Sequence, residues 1–219
     1  MISSNSIKLQ PLSGNTQATN GAKGAISTEV PYIAHITLCG TTDLLYCAWN
    51  VETIEEKSKA KKGSEAKKSD DLESYIYRNE VGLICFPTEH LRMSIAFAAK
   101  SMQDPRSPRK SAFDLLKAGL AAYEPLIPLV NASGNITTEW DFVHKCRARV
   151  QQSAITRCRP AFHKGWQATV SLFVLVPEYI TPDILHDLTT QAGRLIGVGD
   201  FRPTYGRFHV TKFEIGLET

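Results

Sequence analysis

The sequence predicts an α+β fold built on an antiparallel sheet. Three observations carry this: strand-like stretches, of period two at 32–39 and 208–215 and continuously β-branched and aromatic at 167–176; one strongly helical period at 181–195; and turn residues between them. A chain of 219 residues that is 42% hydrophobic and 21% charged has an ordinary globular composition and enough length for a sizeable core. No run of 18 apolar residues occurs, and Met1–Lys8 lacks the charged-then-apolar order of a secretory signal, so neither a membrane partner nor export is expected. The default address is the cytoplasm. Five cysteines, an odd number without C-x-x-C spacing, read as small buried apolar residues.

Residues 1–28 are rich in Ser, Asn, Gly, Thr and Gln, a composition that buries too little apolar surface to offset chain entropy. They are expected to form a disordered or loosely attached tail, leaving 29–219 as a single domain. Tyr32, Ala34, Ile36 and Leu38 then fall on one face of a first strand that Gly40 closes. Six lysines and five acids between Glu55 and Asp71 predict a solvated loop insertion at about 55–72. An apolar run from Val81 to Phe86 leads to Pro87, and Thr88 is a candidate N-cap. Leu91, Ile95 and Ala98 share one face of the helix that follows, which reaches about Met102. Phe113 to Leu120 predicts a short second helix, and Leu126 to Val130 a strand.

From Phe142 to Pro177 there is no Asp or Glu at all. Within that span Lys145, Arg147 and Arg149 alternate with Cys146, Ala148 and Val150, and Arg157 and Arg159 repeat the pattern after Gln151-Gln152-Ser153. The natural reading is a β-hairpin with a five-cation face. Gln167 to Val176 is β-branched and aromatic, hence a central strand. Thr181 as N-cap, Pro182 at the first helical position, Asp183 in the first turn, and Ile184, Leu188, Ala192 and Leu195 at helical spacing then define a helix that Gly197 stops. Phe208 to Ile215 alternates as the last strand.

The segment Gly197 to Arg207 joins that helix to that strand. A dinucleotide-binding glycine motif follows a strand and opens a helix; here the order is reversed, so no nucleotide cofactor, or any other, is expected. Arg202, Tyr205 and Arg207 on a glycine-rich turn could instead bind phosphates and stack a base, with Lys164 and Trp166 beside the hairpin adding to the same surface. Gly199 and Gly206 are expected to take positive φ or to bring backbone against the ligand, so that ordinary residues there would cost binding before stability. The six histidines show no i, i+4 pair, and no metal is expected.

A helix, then Gly197 and Gly199, then Arg202, then Tyr205-Gly206-Arg207 entering a strand through Phe208 and Val210, resembles the C-terminal loop of the RAMP superfamily, which includes backbone subunits of CRISPR effector complexes. Gly40-Thr41-Thr42-Asp43-Leu44-Leu45 is similar to the early strand and turn of those subunits. The elements at 199–203 and 205–208 also resemble a family of small phage and prophage proteins. The resemblance implies a ferredoxin-like (RRM-like) antiparallel sheet with two main helices, a basic β-hairpin and a C-terminal glycine-rich loop. It also implies binding along single-stranded RNA, with DNA as the alternative, by a homo-oligomer or filament. The residue pattern and the resemblance together implicate Lys145, Arg147, Arg149, Arg157, Arg159, Lys164, Trp166, Gly197, Gly199, Arg202, Tyr205, Gly206 and Arg207. Some members of the superfamily are metal-independent endoribonucleases with a histidine base, which keeps His35, His144 and His163 as candidates and RNA processing as the rival function. A third reading is a phage-encoded module whose arginines meet an acidic protein.

Overall fold

The computed structural model describes residues 30–48, 59, 71–150 and 153–217, and the side chains of these except 148–155 and 217. The tail 1–28 and most of the charged insertion therefore lie outside the described residues. Strands are β1 (Tyr32–Gly40), β2 (Leu44–Leu45), β3 (Cys85–Pro87), β4 (Gln103–Asp104), β5 (Ser107–Ser111), β6 (Leu120–Ala122), β7 (Leu126–Pro128), β8 (Phe142–Val150), β9 (Ser153–Phe162), β10 (Gln167–Val174) and β11 (Phe208–Leu217). Helices are α1 (Thr88–Ala98), α2 (Phe113–Gly119) and α3 (Pro182–Leu195).

The class is α+β, with antiparallel pairing in every ladder of the main sheet. That sheet has the order β11-β1-β10-β6. Chain order through it is β1, α1, β6, β10, α3, β11, so each long helix connects two strands that have a third between them. Because β1 alternates, Tyr32, Ala34, Ile36 and Leu38 all enter the core, together with Ala168, Val170, Leu172 and Val174 of β10. Leu91 and Ile95 of α1 and Leu185, Leu188 and Ala192 of α3 complete the packing on that side. The other side carries polar pairs: His35 Nδ1 with Ser171 Oγ at 2.9 Å, and Thr37 with Thr169 at 3.1 Å.

Helix α3 begins as its sequence dictates, with the Thr181 side chain accepting from Ile184 N and Pro182 in the first turn. Its far end departs from expectation. Leu195 is in helical register with Leu188 and Ala192, yet it is 63% exposed. Helix α1 also differs at its start: Thr88 is not a cap but the first helical residue, and its hydroxyl donates to the Glu124 carbonyl. Of the five cysteines only Cys85 is buried; Cys47 is exposed and the other three are intermediate, so the expectation of buried cysteines holds at one position.

A second sheet, β2-β9-β8, leaves β8 as its edge. No helix among the described residues is long and apolar enough to cross a membrane.

Candidate nucleic-acid interface

The glycine-rich segment is stitched to the turn after β1. Gly197 N donates to Ala192 O (2.8 Å), closing α3, and Val198 N donates to Gly206 O (2.9 Å). Asp200 N donates to Leu45 O, Gly206 N to Asp43 O and Thr41 N to Arg207 O, each at 2.8 Å. Arg207 N reaches Thr42 Oγ1 at 2.9 Å. All three glycines take positive φ: 75° at Gly197, 77° at Gly199 and 72° at Gly206. What they approach is the protein's own backbone. A Cβ on Gly199 would lie 2.5 Å from Leu45 O, and one on Gly206 would lie 1.7 Å from Val198 O. The cost of a side chain there falls on stability, which reverses the expectation that binding would suffer first.

The hairpin forms as the alternation predicts, but its cations do not share one face. Residues directly opposite in an antiparallel ladder point the same way. The register sets Arg157 opposite Cys146, and Arg159 opposite His144, while Lys145 faces Cys158 and Arg147 faces Thr156. Arg157 and Arg159 therefore lie on the side of His144 and Cys146, and Lys145 and Arg147 on the reverse side. The side chain of Arg149 lies outside the described residues. The expected single face is thus divided, Lys145 and Arg147 against Arg157 and Arg159, because the parity of the connection sets which residues of β9 oppose those of β8, and that parity is not visible in alternation within either strand.

The side bearing Arg159 packs on the glycine-rich segment. Arg159 is 8% exposed, its Nε donates to Asp200 Oδ2 at 2.7 Å, and its guanidinium sits 4.6 Å from the Tyr75 ring centre. Burial is the largest influence and works against the Arg159 charge, but the Asp200 bond together with the charges of Cys47, Asp200 and Tyr75 outweighs it and holds the pKa above the ordinary guanidinium value. Tyr205 Oη and His144 Nε2 are hydrogen-bonded at 2.9 Å, and His144 Nδ1 is buried without a partner. Phe201, with φ of 51°, places its ring 6.2 Å from that of His144. Arg159 is therefore a structural ion-pair partner rather than an exposed phosphate contact.

Trp166 is also displaced from its expected role. It is fully buried, its ring stacks on Phe86 at 6.0 Å, and its Nε1 donates to Thr42 O. A base cannot reach it. Lys164, Arg202 and Arg207 are exposed, with Arg207 Nε donating to Pro203 O, and Lys145 and Arg147 are exposed on the outer hairpin side. The acids at this end are engaged by the chain itself: Asp43 Oδ1 accepts from Lys164 N, Asp141 Oδ2 from His163 N, and Asp200 from Arg159 and from Phe201 N.

The histidines weighed as bases have separate surroundings. His35 bonds Ser171 on the sheet, His144 bonds Tyr205, and His163 stacks on Phe142 at 4.7 Å. Among the described residues no group of three or more His, Cys, Asp or Glu is placed to hold a metal ion. Sequence reasoning missed an open groove of about 610 Å³ beside the segment, between the ends of α1 and α3, lined in part by Phe97, Lys100, Leu195 and Arg202. The one available signal was Leu195, an apolar residue at the very end of a helix.

No family model matches the chain, and no curated protein matches it. In fold it is similar to a chain in the "Cryo-EM structure of the Type III-B Cmr-beta bound to cognate target RNA", with a TM-score of 0.48 and 9% identity across 86% of this chain. It covers 61% of that chain's length.

Proposed function

We propose that this protein binds single-stranded nucleic acid, RNA in preference to DNA, along the glycine-rich segment and the edge of the hairpin. The observation that carries this reading is the imbalance just described: Lys145, Arg147, Lys164, Arg202 and Arg207 are exposed, whereas Asp43, Asp141 and Asp200 are engaged in holding loops. A strand draped over β8, the edge of its sheet, would meet Lys145 and Arg147 on one side and the segment's arginines on the other. The sheet order β11-β1-β10-β6 with two interleaved crossover helices supports a ferredoxin-like core of the RAMP type. Copies lined up along one strand complete the reading.

The test is a salt titration of binding to labelled single-stranded RNA and DNA. Each phosphate contact on a single strand contributes about 0.7 to the slope of log affinity against log salt, so replacing Arg147 and Arg149 together by Gln should flatten it by about 1.4. An unchanged slope would remove the hairpin from the interface, and no retention of either nucleic acid would remove the reading. The bonded pair His144 and Tyr205 beside the segment favours a second reading, cleavage of RNA, which the same incubation tests by its products.

A further inference from the structure

The groove between the ends of α1 and α3 has three properties that belong together. Its volume, about 610 Å³, falls within the range of roughly 300–1,000 Å³ usual for small-ligand sites. It holds apolar surface that the fold leaves uncovered: Leu195 is 63% exposed although it continues the apolar face of α3, and Ile196 and Phe97 are half-buried beside it. Two cations stand over that apolar surface. Lys100 Nζ lies 4.6 Å from the centre of the Phe97 ring and 5.1 Å from that of Phe113, and the Arg202 guanidinium lies 5.9 Å from Phe97. Neither cation has an ion-pair partner among the described residues, and Asp200, the acid lining the groove, is bonded to Arg159 instead.

An apolar slot edged by two uncompensated cations suits a ligand that joins a flat, weakly polar body to a nearby negative charge. A nucleotide has that form: its base can lie on apolar surface with little demand for hydrogen bonds, and its phosphate is a strong partner for ammonium and guanidinium groups. Arg202 belongs both to the groove wall and to the glycine-rich segment, so a strand lying on the segment reaches the groove without leaving cationic surface. We infer that the groove is a nucleotide subsite, holding one base of the bound strand against Leu195 and Ile196 with its phosphate between Lys100 and Arg202. This inference rests on the nucleic-acid reading above, and it adds a contact to the base where the hairpin supplies contacts to phosphates alone.

Leu195 and Lys100 are both exposed, so Leu195→Gln and Lys100→Gln disturb no core packing, which a melting curve verifies. In a fluorescence-anisotropy titration of the full chain with a labelled single-stranded RNA, each variant should weaken binding by about tenfold, Leu195→Gln through the lost apolar contact to the base and Lys100→Gln through the lost phosphate contact. AMP should compete with the RNA for the parent and should lose that effect on the Leu195→Gln variant. If the parent binds RNA and both variants stay within about twofold of it, the groove proposal is overturned and the nucleic-acid reading stands. If the parent binds no RNA, that reading fails, and direct calorimetric titration with AMP decides the groove: binding lost in Leu195→Gln supports it, and no binding overturns it. Displacement of the RNA by an acidic, aromatic peptide but not by AMP would also overturn it, in favour of a protein ligand.

Discussion

Replacing Gly206 with Ala perturbs one atom at a place where nothing can move aside. The new Cβ would stand 1.7 Å from Val198 O, 2.8 Å from Val198 C and 3.0 Å from Val198 N. All three are backbone atoms, so no side-chain rotation relieves the overlap, and the segment must open. Opening breaks Val198 N to Gly206 O and Gly206 N to Asp43 O, each worth about 1 kcal/mol net. Holding a residue with a Cβ at a φ of 72° costs about another 1 kcal/mol. The total is about 3 kcal/mol. For a domain of this size each kcal/mol lowers Tm by roughly 2–4 °C, so the variant should melt about 6–12 °C below the parent. The assay is a circular-dichroism melt beside a guanidinium titration. Alanine at Gly199, where the nearest backbone atom is Leu45 O at 2.5 Å, should cost less, and alanine at Gly197, with its nearest atom at 3.0 Å, least. A Gly206→Ala protein that melts within about 2 °C of the parent would refute the claim that the segment is packed against itself.

His90 is half-buried beside Phe86 and Tyr77, its Nδ1 is buried without a partner, and removal from water, reinforced by the Arg202 charge, lowers its pKa from 6.5 to about 4. A pKa depressed by folding gives stability that is complete above the unfolded value and lost as pH falls through the folded one. Urea titrations at several pH values should therefore show up to about 3 kcal/mol lost from pH 6.5 down to below 4. His90→Gln should flatten that part of the profile, and an unaltered profile would contradict it. Trp166→Ala should cost about 3–5 kcal/mol of stability, as expected for emptying a fully buried site. A small stability loss with a large binding loss would mean that the indole meets ligand after all.

Which elements the sequence specified depended on how local their causes are. Strand β1, the hairpin, the cap and first turn of α3, and β11 are written in runs of adjacent residues: alternation for the strands, and a threonine, a proline and an acid in succession for the helix. The positive φ of Gly199 and Gly206 was legible for the same reason, since glycines in a short connection from a helix to a strand have few other uses. Lys145, Arg147 and Lys164 were legible as an acid-free stretch, and Arg202 and Arg207 as cations on a glycine-rich turn; all five are exposed.

By itself, then, the sequence determined an antiparallel α+β sheet, its long strands, its last helix and a surplus of basic residues near the hairpin. Three matters were decided only by tertiary structure. Arg157 and Arg159 turned away from Lys145 and Arg147 because register depends on how two strands meet, which neither strand's own pattern states. Trp166 went to the core because Gly40, distant in sequence, leaves no Cβ against the indole, so the ring fits where a larger neighbour would exclude it. Leu195 stayed outside, and helical periodicity alone could not say so, because it continues regardless of what the rest of the fold sets opposite it.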